Sequence, residues 1–242
     1  MEHYTTQFKA RGADYDRAMK KNIEARRHEF LQAIKRANLS SGMAVADVPA
    51  GGGYLQHFLP KGCRWMGHEP CQSFQGEAHG EPVPFLPLPW PSHSIDVVFS
   101  IAGLHHVDDL RPLLRELRRV LRRGGQLVIS DVSWDSPQAH FLDHYVGAHN
   151  GTGHAGKYLG AHTLSLLAEE GWLSSSHEQV DYHWRFADEL AMADFCHTLF
   201  GLKNHPDETA GAIKEYLGVD ELESGELGMR WSLFTIVACP AC

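Results

Sequence analysis

Val45-Ala46-Asp47-Val48-Pro49-Ala50-Gly51-Gly52-Gly53 joins a short apolar run, Met43–Val48, to a turn of three glycines. A run of that length bounded by Pro and Gly predicts a buried strand, and this one closes on a carboxylate, Asp47. Glycine tolerates positive φ and carries no Cβ, so such a turn lets backbone approach a ligand closely. Upstream, Asp14 to Ala37 predicts a helix with Met19, Ile23, Phe30 and Ile34 on one side, Asp14 as N-cap, and Ser40-Ser41-Gly42 ending it.

Downstream the alternation continues. Gly53–Leu59 predicts a short helix stopped by Pro60, and Arg64–Gly67 a second strand closing at His68-Glu69-Pro70. Residues 72–93, rich in Pro and Gly, predict no regular element; Ser94–Ile101 is a third strand. Leu110, Leu113, Leu114, Leu117, Val120 and Leu121 fall at i, i+3, i+4, i+7, i+10 and i+11, a buried helical stripe whose arginines form the solvated side. Gly124-Gly125 ends it before a fourth strand, Gln126–Val132. Asp135–Tyr158 reads as irregular or helical, and His162–Glu170 as a helix closed by Gly171. Trp172–Phe186 reads as a strand, 188–200 and 207–217 as acidic helical segments, and Trp231–Ala238 as a terminal strand. Four βα units with intensely apolar strands imply an α/β fold, a parallel sheet covered on both faces. Ligands of such sheets sit at the carboxyl ends of the strands.

Composition removes several classes. The 242 residues carry 22 Lys+Arg against 30 Asp+Glu, a net charge of −8, which argues against a dedicated nucleic-acid binder. The charge is segregated: +4 over 1–42, +5 over 111–123 and −8 over 188–227. Five Cys with no regular framework predict reduced thiols and a cytoplasmic address. The N-terminal stretch has no apolar h-region and no run long enough for a membrane helix is present, so neither signal peptide nor membrane span is expected. The 17 His are an excess to be placed.

Glu69 lies 22 residues beyond Asp47, at the end of the next strand, where an acid accepts hydrogen bonds from ribose hydroxyls. A dinucleotide turn would need a small residue where Gln56 stands, and Asp47 repels pyrophosphate but attracts a cationic group. With these features the chain resembles the class I, Rossmann-like S-adenosylmethionine-dependent methyltransferases, in particular the small-molecule group called type 11. Asp47…Gly51-x-Gly53, Glu69, Leu86-Pro87-Leu88-Pro89, Ser94–Val98, Ser100–His106 and Leu113–Ser130 match its motifs in order over roughly 43–132. The resemblance implies a three-layer, mostly parallel seven-stranded sheet with an antiparallel last strand and a helical cap. It implies a single domain over 1–242, with 1–42 as an N-terminal helical lid, 43–134 as the cofactor-binding core, and 135–160 and 185–227 as cap insertions.

It also implies S-adenosylmethionine as cofactor and a small-molecule methyl acceptor, with no nucleic acid or membrane partner. Asp47, Pro49, Ala50, Gly51 and Gly53 would hold the methionine moiety, Glu69 the ribose, and Pro70 and Cys71 the adenine. Ser100 and Leu104 would border the sulfonium methyl. The chain departs from the pattern at Pro49, which replaces a small residue, and at the adenine pair, where Glu81 and Val83 are the nearest matches. Methyl transfer needs a base only when the acceptor must lose a proton early; His105 and His106, after the third strand, are the candidates for base or orienter. Tyr15, Asp131, Trp134, Tyr145 and His149 are candidates for the acceptor pocket. No metal is expected: His140 and His144 stand at i, i+4 without a carboxylate motif, and Cys239…Cys242 is a lone pair. Two other readings stay open, a nicotinamide-dependent oxidoreductase and a non-catalytic cofactor-binding protein.

Overall fold

The structure is a computed structural model and describes residues 2–75 and 83–241. Glu81 and Cys242 therefore lie outside the described residues. The strands are β1 (Ala44–Asp47), β2 (Arg64–Gly67), β3 (Ile95–Ile101), β4 (Leu121–Asp131), β5 (Trp172–Phe186), β6 (Val219–Glu221) and β7 (Leu227–Pro240). They form one seven-stranded sheet in the order β2-β1-β3-β4-β7-β5, with β6 paired to β7. Strands β1 to β4 pair in parallel, and β7 runs antiparallel to both β4 and β5. The expected architecture and the antiparallel last strand are therefore present. The short β6 carries no periodic signal and was not expected.

Period-two alternation distributes the strand side chains between two cores. Val45, Val97, Phe99, Val128 and Val237 join one cluster, whereas Ala44, Ala46, Val98, Leu127, Ile129 and Ile236 join the other. The second cluster is covered by α3 (Arg111–Val120), which buries Leu113, Leu114, Leu117 and Val120 as the stripe requires. Two of its arginines are paired, Arg115 with Glu170 at 2.7 Å and Arg119 with Glu116 at 2.8 Å, and Arg122 at the start of β4 pairs with Asp96 at 2.7 Å.

The first cluster is covered by the N-terminal helices, by residues 137–149 and by the helices Glu189–Phe200 and Pro206–Tyr216. Here the structure corrects the sequence reading. The first helix, α1, spans Glu2–Lys21, and the chain re-forms as a 3-10 turn, Ile23–Arg26, and α2 (Arg27–Ile34). Asn22 makes the break: its side chain accepts from Ala25 N at 3.3 Å, offering the backbone an alternative to helix continuation. Asp14 is thus an interior residue, paired with Arg17 at 2.7 Å, and not a cap. Residues 137–149 are one continuous helix, capped by Ser136 and containing a π turn at Phe141–Val146. Among the described residues, no helix is long and apolar enough to cross a membrane.

Candidate cofactor and acceptor site

The carboxyl ends of β1 and β2 assemble the first half of the site. Gly51 and Gly53 adopt φ of 53° and 78°, so the turn after β1 uses the conformation glycine makes accessible. Gly51 N donates to Glu69 Oε2 at 2.8 Å, Cys71 N donates to Oε1 at 2.8 Å, and the Tyr4 hydroxyl donates to Oε2 at 2.7 Å. Burial pushes the Glu69 carboxyl up to about 7, with these bonds holding it from going higher. Asp47 is buried and accepts from Trp65 Nε1 at 3.3 Å. Burial raises its carboxyl well above the usual range, and Glu69 adds to the shift.

Helix α1 closes over this half. Tyr4, Phe8, Cys71 and Phe74 form a small cluster, with the Phe8 ring 4.7 Å from Tyr4 and 5.1 Å from Phe74. Polar bonds fasten the helix along its length. Ser73 Oγ donates to Phe8 O at 2.7 Å, Thr152 Oγ1 to Gln7 Oε1 at 2.6 Å, and Arg11 Nη2 to Leu199 O at 3.3 Å. The cavity left between Asp47, Pro49, Ala50 and Gly51 and the rings of Tyr4, Phe8 and Tyr15 measures about 40 Å³. Ligand pockets occupy roughly 300–1,000 Å³, so the space left between α1 and the strand ends is much smaller than a ligand pocket.

A second cavity, of about 50 Å³, shares the walls Phe8, Tyr15, Arg26 and Ala102 with the first. Its other walls include His105, His106, His154, Trp184, Phe200 and Trp231. The stacked rings of Trp184 and Trp231 lie 4.4 Å apart. Arg26 sits between the cavities, 4.7 Å above the Trp184 ring, paired with the fully buried Glu29 and bonded to the Tyr15 hydroxyl. Burial alone would lower the Arg26 pKa, but the charges and hydrogen bonds of Glu29 and Tyr15 together outweigh it and the net shift is upward. Arg26 Nε is buried with no hydrogen-bond partner.

Asp131, at the end of β4, is fully buried and organises the turn after β3. It accepts from Leu104 N at 2.7 Å, from His105 N at 3.2 Å and from His105 Nδ1 at 2.6 Å. A carboxylate only accepts, so the proton of the neutral ring is on Nδ1 and Nε2 is the basic nitrogen.

The residues expected from sequence divide clearly. Asp47, Pro49, Ala50, Gly51 and Tyr15 line the first cavity, and His105, His106 and Tyr15 the second. Glu69 bonds the turn at Gly51 and also Cys71 N, Gly53 shapes that turn, and Pro70 is buried; none of the four lines either cavity. Ser100 and Leu104 are buried in the structure beneath it, and Ile101, Ala102 and Gly103 form the wall expected of them. Val83 is 42% exposed and lines neither cavity. Trp134 is 67% exposed and lines a separate groove with His140, His144 and His162. Tyr145 and His149 pack on each other, ring centres 4.5 Å apart, away from both cavities. The side chains missed by the sequence reading are Tyr4, Phe8, Arg26, Trp184 and Trp231. Only the i, i+4 spacing of Tyr4 and Phe8 hinted at a shared face.

A Rossmann-like sheet with an acid at the end of β2 and a glycine turn after β1 defines a nucleoside-cofactor domain. Its particular kind follows from comparison with known proteins. Residues 47–129 match the methyltransferase domain profile, and this stretch is a methyltransferase domain of the Rossmann-like, S-adenosylmethionine-dependent class. The chain is 29% identical over 147 residues to the uncharacterized methyltransferase YcgJ of Bacillus subtilis, covering 52% of this chain and 57% of that protein. Matches cover between 17% and 57% of the lengths of the first curated relatives. Among solved structures, an S-adenosylmethionine-dependent methyltransferase from Thermotoga maritima aligns with TM-score 0.59 and 18% identity, covering 98% of this chain and 99% of that one. A chain from the complex of a Haloferax volcanii methyltransferase with the Trm112 methyltransferase activator aligns with TM-score 0.64 and 20% identity, covering 97% and 98%. The cofactor of this class is S-adenosylmethionine.

Proposed function

We propose that this protein transfers a methyl group from S-adenosylmethionine to a small, largely apolar acceptor. The observation that carries the reading is Glu69, half-buried just past β2 with backbone donors on both oxygens and the Tyr4 hydroxyl of α1 as a displaceable partner. With the first turns of α1 withdrawn, Glu69 accepts from the ribose hydroxyls and Cys71 and Phe74 flank the adenine. Asp47 faces the methionine ammonium, and the orphaned Arg26 Nε meets its carboxylate. The cofactor supplies an electrophilic methyl on a sulfonium, with a good leaving group.

What the chain contributes is position. Holding an acceptor atom about 3–3.5 Å from the methyl, in line with the sulfur, is worth about 7–11 kcal/mol. The chamber beyond Ala102 is suited to that task, because its walls include Trp184, Phe200 and Trp231, which favour an apolar or aromatic body. The acidic residues of 185–227 do not line it, and that segment contributes Leu199 and Phe200. Trp134 and Tyr145, either of which could plug the chamber in a non-catalytic protein, lie elsewhere. In this reading 1–42 is the lid, 43–134 the cofactor core, and 135–160 with 185–227 the cap.

Calorimetric titration with S-adenosylhomocysteine tests the reading. Binding by the wild type, with at least a tenfold loss in Glu69→Gln, is expected. Absence of heat at high micromolar protein, or a variant indistinguishable from wild type, overturns it.

A further inference from the structure

Three imidazoles meet at the floor of the acceptor chamber. His105 and His106 come from the turn after β3 and His154 from the segment after the helix at 137–149. Their ligand nitrogens lie within 4.8 Å of one another, and no other such group occurs among the described residues. The ring centres are 4.1, 5.5 and 5.2 Å apart. Three imidazoles radiating from one ion at about 2.0–2.1 Å per bond place their centres roughly 5 Å apart, so the set needs little adjustment to converge.

A second observation concerns what lies behind the rings. His105 Nδ1 donates to Asp131 at 2.6 Å, and His154 Nδ1 donates to Asp143 at 2.9 Å. Asp143 is itself held by Gly156 N at 3.1 Å and by the Tyr158 hydroxyl at 2.5 Å. Carboxylates behind imidazoles fix the tautomer that presents Nε2 forward, as they do behind metal-bound histidines. The His154 side chain is 3% exposed. Arg11 is an opposing charge nearby, whereas Asp131 and Asp143 together balance a dication.

We propose that His105, His106 and His154 bind one divalent transition-metal ion, with Asp131 and Asp143 as outer partners and its open position facing the acceptor chamber. Three imidazoles suit Zn²⁺, Co²⁺ or Fe²⁺ and leave a coordination position for a small ligand. The role of the ion rests on the methyl-transfer reading. An acceptor hydroxyl or thiol at the open position gives its proton to solvent on binding, and its lone pair then attacks the sulfonium methyl. The carbon–sulfur bond breaks with its electron pair remaining on sulfur, and the bond from acceptor atom to methyl forms.

The test separates the ion from the cofactor. Chelator-stripped protein is dialysed against Zn²⁺ or Co²⁺ alone and metal per chain is measured, while the stripped protein is titrated with S-adenosylhomocysteine in parallel. One tightly held ion per chain is expected, with visible absorption bands from the Co²⁺ form. His154→Gln should lose that ion and Asp143→Asn should weaken it at least tenfold, whereas a His140→Gln/His144→Gln variant should retain it. Circular dichroism identifies any variant that has failed to fold, and His105→Gln then replaces it. Cofactor binding without tight metal uptake, or uptake that survives in both His105→Gln and His154→Gln, overturns the proposal and leaves the methyl-transfer reading standing. Metal uptake without cofactor binding sustains the site and sinks that reading instead.

Discussion

Replacing Tyr4 by Phe removes one oxygen and keeps the ring that packs 4.7 Å from Phe8 and 5.9 Å from Phe85. What is lost is the hydroxyl donation to Glu69 at 2.7 Å. A hydrogen bond to a charged group contributes about 1.5–3 kcal/mol, so the closed form is weakened relative to the open form by roughly 12- to 150-fold. Apparent affinity scales with the fraction of molecules able to bind, so the dissociation constant for S-adenosylhomocysteine should fall about tenfold or more. The gain saturates once the open form predominates. Calorimetry at pH 8.5 is the assay, because losing a donor raises the Glu69 carboxyl further and the comparison requires it ionised in both proteins. In Glu69→Gln the same Tyr4→Phe change should have far less effect, since the amide is uncharged. Unchanged or weaker binding in Tyr4→Phe, with amide exchange in α1 faster than in the wild type, would refute the view that Tyr4 occupies the ribose position.

The Glu69 carboxyl, ordinarily near 4.5, stands at about 7 in the folded chain, so between those values the native state binds more protons than the unfolded state. Its contribution to stability is therefore present below pH 4.5 and declines as pH rises to 7, whereas the ribose contact proposed for it requires the ionised form. Cofactor-product binding at pH 6 should release protons, measured as a buffer-dependent binding enthalpy, and Glu69→Gln should diminish that release. Glu29→Gln leaves Arg26 buried without its counter-charge and also perturbs the bond from Trp184 Nε1, now 2.9 Å long. A cost of about 3–5 kcal/mol, or a drop of roughly 6–20 °C in Tm by thermal scan, is expected. Trp134→Ala, at an exposed position in a separate groove, should change neither cofactor-product affinity nor turnover by more than twofold.

The parallel core was legible because its strands are apolar on both faces and end where Gly and Pro interrupt them. Asp47, Glu69 and the glycine turn follow from that pattern, since a sheet of this kind presents its ligands at the strand ends. The lid was legible only in part. Nothing local marks residues 2–13 as helix more strongly than as a tail. Their anchors are distant in sequence, with Tyr4 on Glu69 and Phe8 on Ser73. The acceptor chamber was the least legible. Trp134 follows the strand that ends at Asp131, which suggests the chamber, and Tyr145 stands in the segment expected to cap it. The π turn at Phe141–Val146 adds a residue to the helical repeat and changes its phase, and Leu142 lines the chamber in place of Tyr145. The histidine pair at i, i+4, His140 and His144, belongs to the outer groove. The converging histidines come from segments separated by about 50 residues, a proximity that no local spacing encodes.

Phe8 and Tyr15 of α1 are walls of both cavities. In the proposed reading one opening event admits both reactants, and the free energy of unfastening α1 is common to the two binding equilibria. Whichever reactant binds first to the open form relieves the other of that cost. Cofactor product and acceptor should thus raise each other's affinity by the same factor, as thermodynamic reciprocity demands. Destabilising the fastenings at Gln7 or Arg11 would tighten both while erasing their cooperativity. The lid would then govern the order of events as well as access.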